Sequence, residues 1–345
     1  MSFANFTSYA KGAFASAVGL STIGVGLLYY GQNYLIYPSH MADGRTVVPN
    51  PGQFGIPYEG LTLTTSDGIK IRGYLMMQGM KLKEGAVPST AHAAEYHDEN
   101  GGNVDFKEGE KEDSGSVQKE TRDGTLHDHD DSISLSRPTI VMFHGNGGNY
   151  GQRIPLAKIF YGHMRCNVAM LCYRGYGDSE GVPSEKGLKT DAQTILDYLL
   201  NHPVISRTKI ILYGQSIGGA VAIDLASRNP DKIHAMIVEN TFTSLPRLVP
   251  NALPFLGPFS WLCHQKWPSD ERLPLIPPQI PIMMLSGKAD VIVPPAHMLD
   301  LWEISLRSGR ESGVWVEFPD RGHNDTCATR EYWNAVSDFV WKATQ

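Results

Sequence analysis

The chain has 345 residues, 41% of them hydrophobic, which is enough to build a large folded core. A net charge of −6 with no basic stripe argues against a nucleic-acid partner. Four cysteines without a CxxC pair exclude zinc-ribbon and thioredoxin-type chemistry, and a disulfide framework is not expected at this density.

The first informative element is GAFASAVGLSTIGVGLLYYGQNYLIYP, residues 12–38. After Lys11 no formal charge occurs until Asp43, and residues 13–31 supply 19 mostly apolar positions. That is close to the roughly 20 residues a membrane-spanning helix needs. Tyr29, Tyr30, Tyr34 and Tyr37 cluster at the far end, where an aromatic belt belongs. The segment is therefore expected to be an uncleaved single-pass anchor that meets the bilayer through residues 13–37. A buried Gly-rich helix and a cleaved signal peptide are the alternatives. The side of the membrane stays open. Lys11 favours a cytosolic N-terminus, whereas the Asn324-Asp325-Thr326 sequon would place a glycan beside His323 in a lumen.

Residues 59–77 alternate apolar and polar on both sides of Asp67-Gly68, a hairpin pattern. Residues 80–136 lose all periodicity. They hold fourteen acidic and six basic residues, a balance of −8, which leaves the rest of the chain at +2. They read as an acidic low-complexity insertion. Within it, HDHDD (127–131) reads as a solvated run, with metal binding the less favoured alternative.

From Pro138 onward, short continuous apolar runs alternate with helical patterns. The runs are 139–143, 167–173, 209–214, 235–239, 281–286 and 314–318. Such runs suit parallel strands buried on both faces, and the alternation implies an α/β fold with a mostly parallel twisted sheet flanked by helices. Helices are expected from Ser184, from Pro294 and over the C-terminal residues. Residues 242–278, crowded with Pro, Trp, Phe and Leu, interrupt the alternation and read as a small helical lid.

Two stretches satisfy G-x-S-x-G, centred on Ser179 and Ser216. Only Ser216 sits directly between an apolar strand, KIILY, and a helix, AVAIDLASR, which is the context a catalytic serine elbow requires. A serine hydroxyl needs a base and an orienting acid. His323 follows the last strand, and Asp290 follows the strand before it, in the order Ser216, Asp290, His323. Glu239 is the second candidate for the acid. Asp320 and Asp325 lie too close in sequence to reach round the imidazole and are expected to form turns. The oxyanion donors are expected to be the backbone N–H groups of Ile217 and of Asn146, in the loop HGNGG after the strand 139–143. No motif calls for a metal or organic cofactor.

The blocks HGNGGN, YRGYGDSEG, PSEKGL, GQSIGG, ENTFTSL, GKADVIVP and GHND, in this order, resemble the membrane-anchored α/β-hydrolases of the fungal bud-emergence family and their animal α/β-hydrolase-domain relatives. The resemblance runs from about Gly60 to the C-terminus, outside the acidic insertion. The insertion is longer than the family's short connection, and Cys172 stands where relatives often carry Asn or Asp. The resemblance implies an α/β-hydrolase domain over 59–345. It also implies a serine hydrolase acting on acyl esters or thioesters at a membrane, as a lipid esterase or protein depalmitoylase does. A serine peptidase of the same fold and a non-catalytic membrane scaffold are the competing readings.

Overall fold

The computed structural model describes residues 24–81 and 131–345. Eight strands form one sheet in the spatial order β1-β2-β4-β3-β5-β6-β7-β8. They are β1 (Glu59–Thr64), β2 (Lys70–Met76), β3 (Thr139–Phe143), β4 (Asn167–Cys172), β5 (Ile210–Gln215), β6 (Ala235–Glu239), β7 (Ile282–Gly287) and β8 (Val314–Phe318). β1 and β2 pair antiparallel, as does β2 with β4, and every pairing from β4 to β8 is parallel. Each strand from β3 to β7 is buried at every position, which is why the sequence shows unbroken apolar runs there rather than alternation. Burying each large aliphatic side chain of these strands contributes about 2 kcal/mol.

The local signals map onto the elements. The β1–β2 turn is closed by Gly68 N–H donating to the Thr65 carbonyl, with Thr65 Oγ1 bonded to Asp67 Oδ1 at 2.6 Å and Gly68 at φ 84°. Helix α1 (Glu185–Asn201) starts where Ser184 Oγ accepts from Gly187 N–H at 3.1 Å. Helix α2 (Ile217–Arg228) follows β5 directly. Between β6 and β7 lie helix α3 (Leu245–Ala252), a 3₁₀ segment Pro254–Leu262 and a short helix Ser269–Arg272. Helices α4 (Pro295–Arg307) and α5 (Arg330–Thr344) complete the layers, α5 being capped by Thr329.

The N-terminal segment is described only from residue 24. Residues 13–23, and all but Asp131 of HDHDD, lie outside the described residues. Among the described residues no helix is long and apolar enough to cross a membrane. Tyr37 does not stand in an aromatic belt: it is 1% exposed, its hydroxyl accepting from Trp267 Nε1 at 2.9 Å and bonding Gln265 Oε1. Ile56 is likewise buried, so the packed body starts upstream of residue 59. The apolar count could not separate Tyr37 from Tyr30, because both lie in the same uncharged run. What divides them is a tertiary partner, Trp267, 230 residues away.

Candidate active site

Six connections leave the C-terminal edge of the parallel strands β3 to β8, and five of them carry a group of interest. β3 leads to Asn146, β5 to Ser216, β6 to Asn240, β7 to Asp290 and β8 to His323. In open α/β sheets this edge is where ligands bind.

Ser216 has φ 55° and ψ −122°, a conformation that a residue with a side chain seldom adopts. Holding it costs about 1–3 kcal/mol, which the surroundings must supply. They do so at both ends of the residue. Its N–H donates to the Glu239 carbonyl at 2.9 Å, and its own carbonyl accepts from Thr241 Oγ1 at 2.7 Å. The reversal brings α2 hard against the sheet. A Cβ on Gly218 would collide with the Phe143 carbonyl, and one on Gly214 with the carbonyl of Gly218. These two glycines are therefore required by close approach. Ile217 is the first residue of α2, so its N–H has no acceptor within the helix.

His323 Nδ1 lies 2.7 Å from Asp290 Oδ2. The carboxylate accepts, so Nδ1 carries the proton and Nε2 is left as the basic atom. The other oxygen, Asp290 Oδ1, accepts from the N–H groups of Ile292 and Val293 at 2.9 and 2.8 Å. Asp290 is thus oriented by its own loop before it meets the imidazole. Asp325, by contrast, accepts from Gly322 N–H at 2.6 Å and forms the turn, as expected from its position.

Asn146 sits in the loop after β3, with its carboxamide engaged at both ends. Nδ2 donates to the Ile36 carbonyl, and Oδ1 accepts from Tyr176 OH at 2.7 Å. The loop runs beside the serine elbow: a Cβ on Gly145 would stand 3.7 Å from the Gln215 carbonyl. His144, which opens the loop, is buried against the Tyr173 ring at 4.3 Å. Desolvation pushes its pKa down to about 3, so it is neutral at ordinary pH and supports the loop as an uncharged group.

Glu239 does not meet the imidazole through its side chain. It is fully buried beneath the site, accepting from Tyr213 OH at 2.8 Å, Tyr332 OH and Gln215 Nε2. Burial raises its pKa, with the two tyrosine hydroxyls pulling the other way. Sequence reasoning missed the next residue altogether. Asn240 holds φ 45°, accepts from Gly287 N–H at 2.8 Å and donates to Thr326 Oγ1 at 2.8 Å and the His323 carbonyl at 3.2 Å. It ties the end of β7, which leads to Asp290, to the turn that carries His323. Gln215 Nε2 also reaches the His323 carbonyl, at 3.2 Å. The available signal was an Asn directly after an apolar strand ending at the same sheet edge.

Ser179 is placed quite differently. It is 2% exposed, and its hydroxyl donates to the Cys172 carbonyl at 2.8 Å while accepting from Arg72 N–H at 2.9 Å. Arg72 and Cys172 are register partners of β2 and β4, so the hydroxyl closes the end of that ladder.

Comparison with known proteins agrees with this architecture. The family model described as "Serine aminopeptidase, S33" matches residues 135–274. The chain is 36% identical over 327 residues to Protein bem46 of Schizosaccharomyces pombe, covering 94% of this chain and 91% of that one. It is 35% identical over 323 residues to the Saccharomyces cerevisiae protein named "Uncharacterized membrane protein YNL320W", covering 94% and 93%. Among solved structures, an esterase of Pyrococcus furiosus, Pf2001, superposes with a TM-score of 0.62 at 14% identity, over 87% of this chain and 97% of the esterase.

Proposed function

The chain belongs to the α/β-hydrolase family that includes Bem46, and from that premise we propose that it is a membrane-anchored serine hydrolase acting on carboxylic acyl esters or thioesters. The observation that carries this reading is the strained Ser216 elbow at the sheet edge that also bears the His323–Asp290 pair at 2.7 Å.

In this reading Ser216 Oγ attacks the acyl carbonyl while His323 Nε2 takes its proton. Asp290 holds the imidazole in the Nδ1–H tautomer and stabilises the imidazolium that forms. The carbonyl oxygen becomes an oxyanion, accepted by the N–H groups of Ile217 and Asn146; losing one such donor costs about 3–4 kcal/mol of transition-state stabilisation. Collapse transfers the proton from His323 to the leaving alcohol or thiol and leaves an acyl group on Ser216. Water, deprotonated by His323, then releases the acid. The bilayer link rests on the uncharged run 13–31 and on the yeast relative, which is named a membrane protein.

Peptide hydrolysis is the second reading, favoured by the description of the matching family model. The triad alone does not separate amides from esters. A fluorophosphonate probe followed by substrate comparison tests both. Wild type should be labelled, Ser216→Ala should not, and Ser179→Ala should be. Failure of the wild type to label would sink the hydrolase reading. Turnover of aminoacyl amides in preference to acyl esters and thioesters would hand the site to the peptidase reading.

A further inference from the structure

Two uncharged stretches, far apart in sequence, expose aromatic and aliphatic side chains and are clasped together. The first is the 3₁₀ segment Pro254–Leu262, in which no residue is buried; Phe255 is 73% exposed, Phe259 43% and Trp261 72%. Between Arg247 and Lys266 the chain holds no Asp, Glu, Lys or Arg. The second is the N-terminal segment, where Leu27, Tyr30, Tyr34 and Leu35 are all more than half exposed.

Gln32 joins them. Its side chain is buried, donating from Nε2 to the Leu262 carbonyl at 2.8 Å and accepting at Oε1 from His264 N–H at 2.9 Å. Tyr29 adds a ring contact with His264 at 4.8 Å, and Tyr37 anchors the far end on Trp267. The clasp lies on the active-site side of the molecule. The Ile36 carbonyl accepts from Asn146, and the 254–262 segment departs from the C-terminal end of β6.

We propose that residues 24–36 and Pro254–Leu262 form one bilayer-docking face, which seats Phe255, Phe259 and Trp261 in the interfacial layer and turns the sheet edge that bears Ser216 toward the membrane. This rests on the hydrolase reading and adds how its substrate arrives: the acyl chain enters from the bilayer rather than from water. A patch of this kind marks a binding surface, and aromatic side chains are the residues that settle at membrane interfaces. A lipid surface fits better than a protein partner, because in the sequence the stretch 24–36 is preceded by the uncharged, mostly apolar residues 12–23. A nine-residue 3₁₀ segment is also too short to cover the nineteen-residue run 13–31. With no cation on it, the face selects apolar and zwitterionic lipid, so its contact should not weaken with salt.

The test uses the full chain reconstituted in phosphatidylcholine vesicles. The four native cysteines are buried, so a Phe255→Cys variant accepts one environment-sensitive fluorophore. A Trp341→Cys variant serves as the control. Trp341 is 65% exposed, and its helix ends beside Lys209 at the opposite edge of the sheet. The label at 255 should shift to the blue and be quenched by bromine-bearing lipid, in low and high salt alike, while the label at 341 stays in water. A label at 255 that remains in water on the vesicle overturns the proposal, whatever the enzyme's activity. In a second arm, the double variant F255D/W261D should lose at least tenfold in turnover of a long-chain ester embedded in the bilayer. It should keep a water-soluble short-chain ester within twofold. Unchanged turnover of the embedded ester also overturns the docking face. Loss of wild-type activity on every ester refutes the hydrolase reading and leaves the fluorescence result standing.

Discussion

The two G-x-S-x-G stretches obey the same five-letter rule and do opposite things. At 214–218 the serine is forced to φ 55° between a strand and a helix, and its backbone is held from both sides. At 177–181 the serine lies in a turn after β4, with its hydroxyl consumed by the carbonyl of Cys172 and the N–H of Arg72. The glycines differ in the same way. Gly214 and Gly218 permit close approach of helix and strand, whereas Gly177 and Gly181 supply positive φ, 47° and 84°, for a turn. A motif built from permissive residues is therefore read by its flanks. The turn block has work of its own. Arg174 donates to Asp67 at 2.6 and 2.9 Å and to Asp191 at 2.9 Å, riveting the β1–β2 turn to α1. Those bonds hold the Asp67 carboxyl well below the usual carboxylate range.

The largest effect that separates the two regions is expected at Ser216. Ser216→Ala should cut ester turnover by about 10⁴-fold or more. It should leave the melting temperature unchanged or higher, since alanine removes no hydrogen bond that holds the elbow. Asp290→Asn is expected to cost about 10⁴-fold in kcat, because an amide no longer enforces the Nδ1–H tautomer of His323. Comparable turnover with Asp290→Asn and loss with Glu239→Gln would transfer the acid's role to Glu239.

Much of this was legible beforehand. The runs 139–143 and 235–239 coincide with β3 and β6, which are buried at every position and so read as nearly continuous apolar letters, and the run 314–318 coincides with the only partly buried edge strand β8. Ser216, Asp290 and His323 could be picked out because each follows such a run at the sheet edge. Asn240 and Gln215 escaped, since their partners lie in segments distant along the chain and leave no local pattern. The fate of Tyr37 escaped for the same reason. Ser216→Ala and Asp290→Asn test the roles assigned to these side chains.

The third test concerns the turn block. Arg174→Met should lower stability by about 3–5 kcal/mol, because it leaves Asp191 buried without its cation. Denaturant unfolding reads this directly, and turnover per folded molecule should change little. Next in size is Asn240→Ala, which removes the tie between the Asp290 and His323 loops. Displacing His323 by a fraction of an ångström is enough for about a 10- to 100-fold loss in kcat. The effect should fall on kcat more than on KM, which a purely structural defect would not produce at a temperature where the variant is folded.

The smallest effect sharpens the contrast most. Ser179→Ala removes one hydroxyl that bridges Cys172 and Arg72 at the end of the β2–β4 ladder. Leaving the two backbone groups unpaired in a site only 2% exposed should cost about 1–3 kcal/mol of stability. Glu180 still pairs with Lys70 through its N–H, so the turn keeps its place on the sheet. Turnover should therefore stay within a few-fold of wild type, and fluorophosphonate labelling should persist. If labelling and turnover instead collapse in a protein whose unfolding curve is intact, Ser179 is the nucleophile and flank context has failed as the criterion. If stability falls while turnover holds, the same five letters encode a ladder clasp at one site and a reactive elbow at the other. The strain at φ 55° is then the feature that tells them apart.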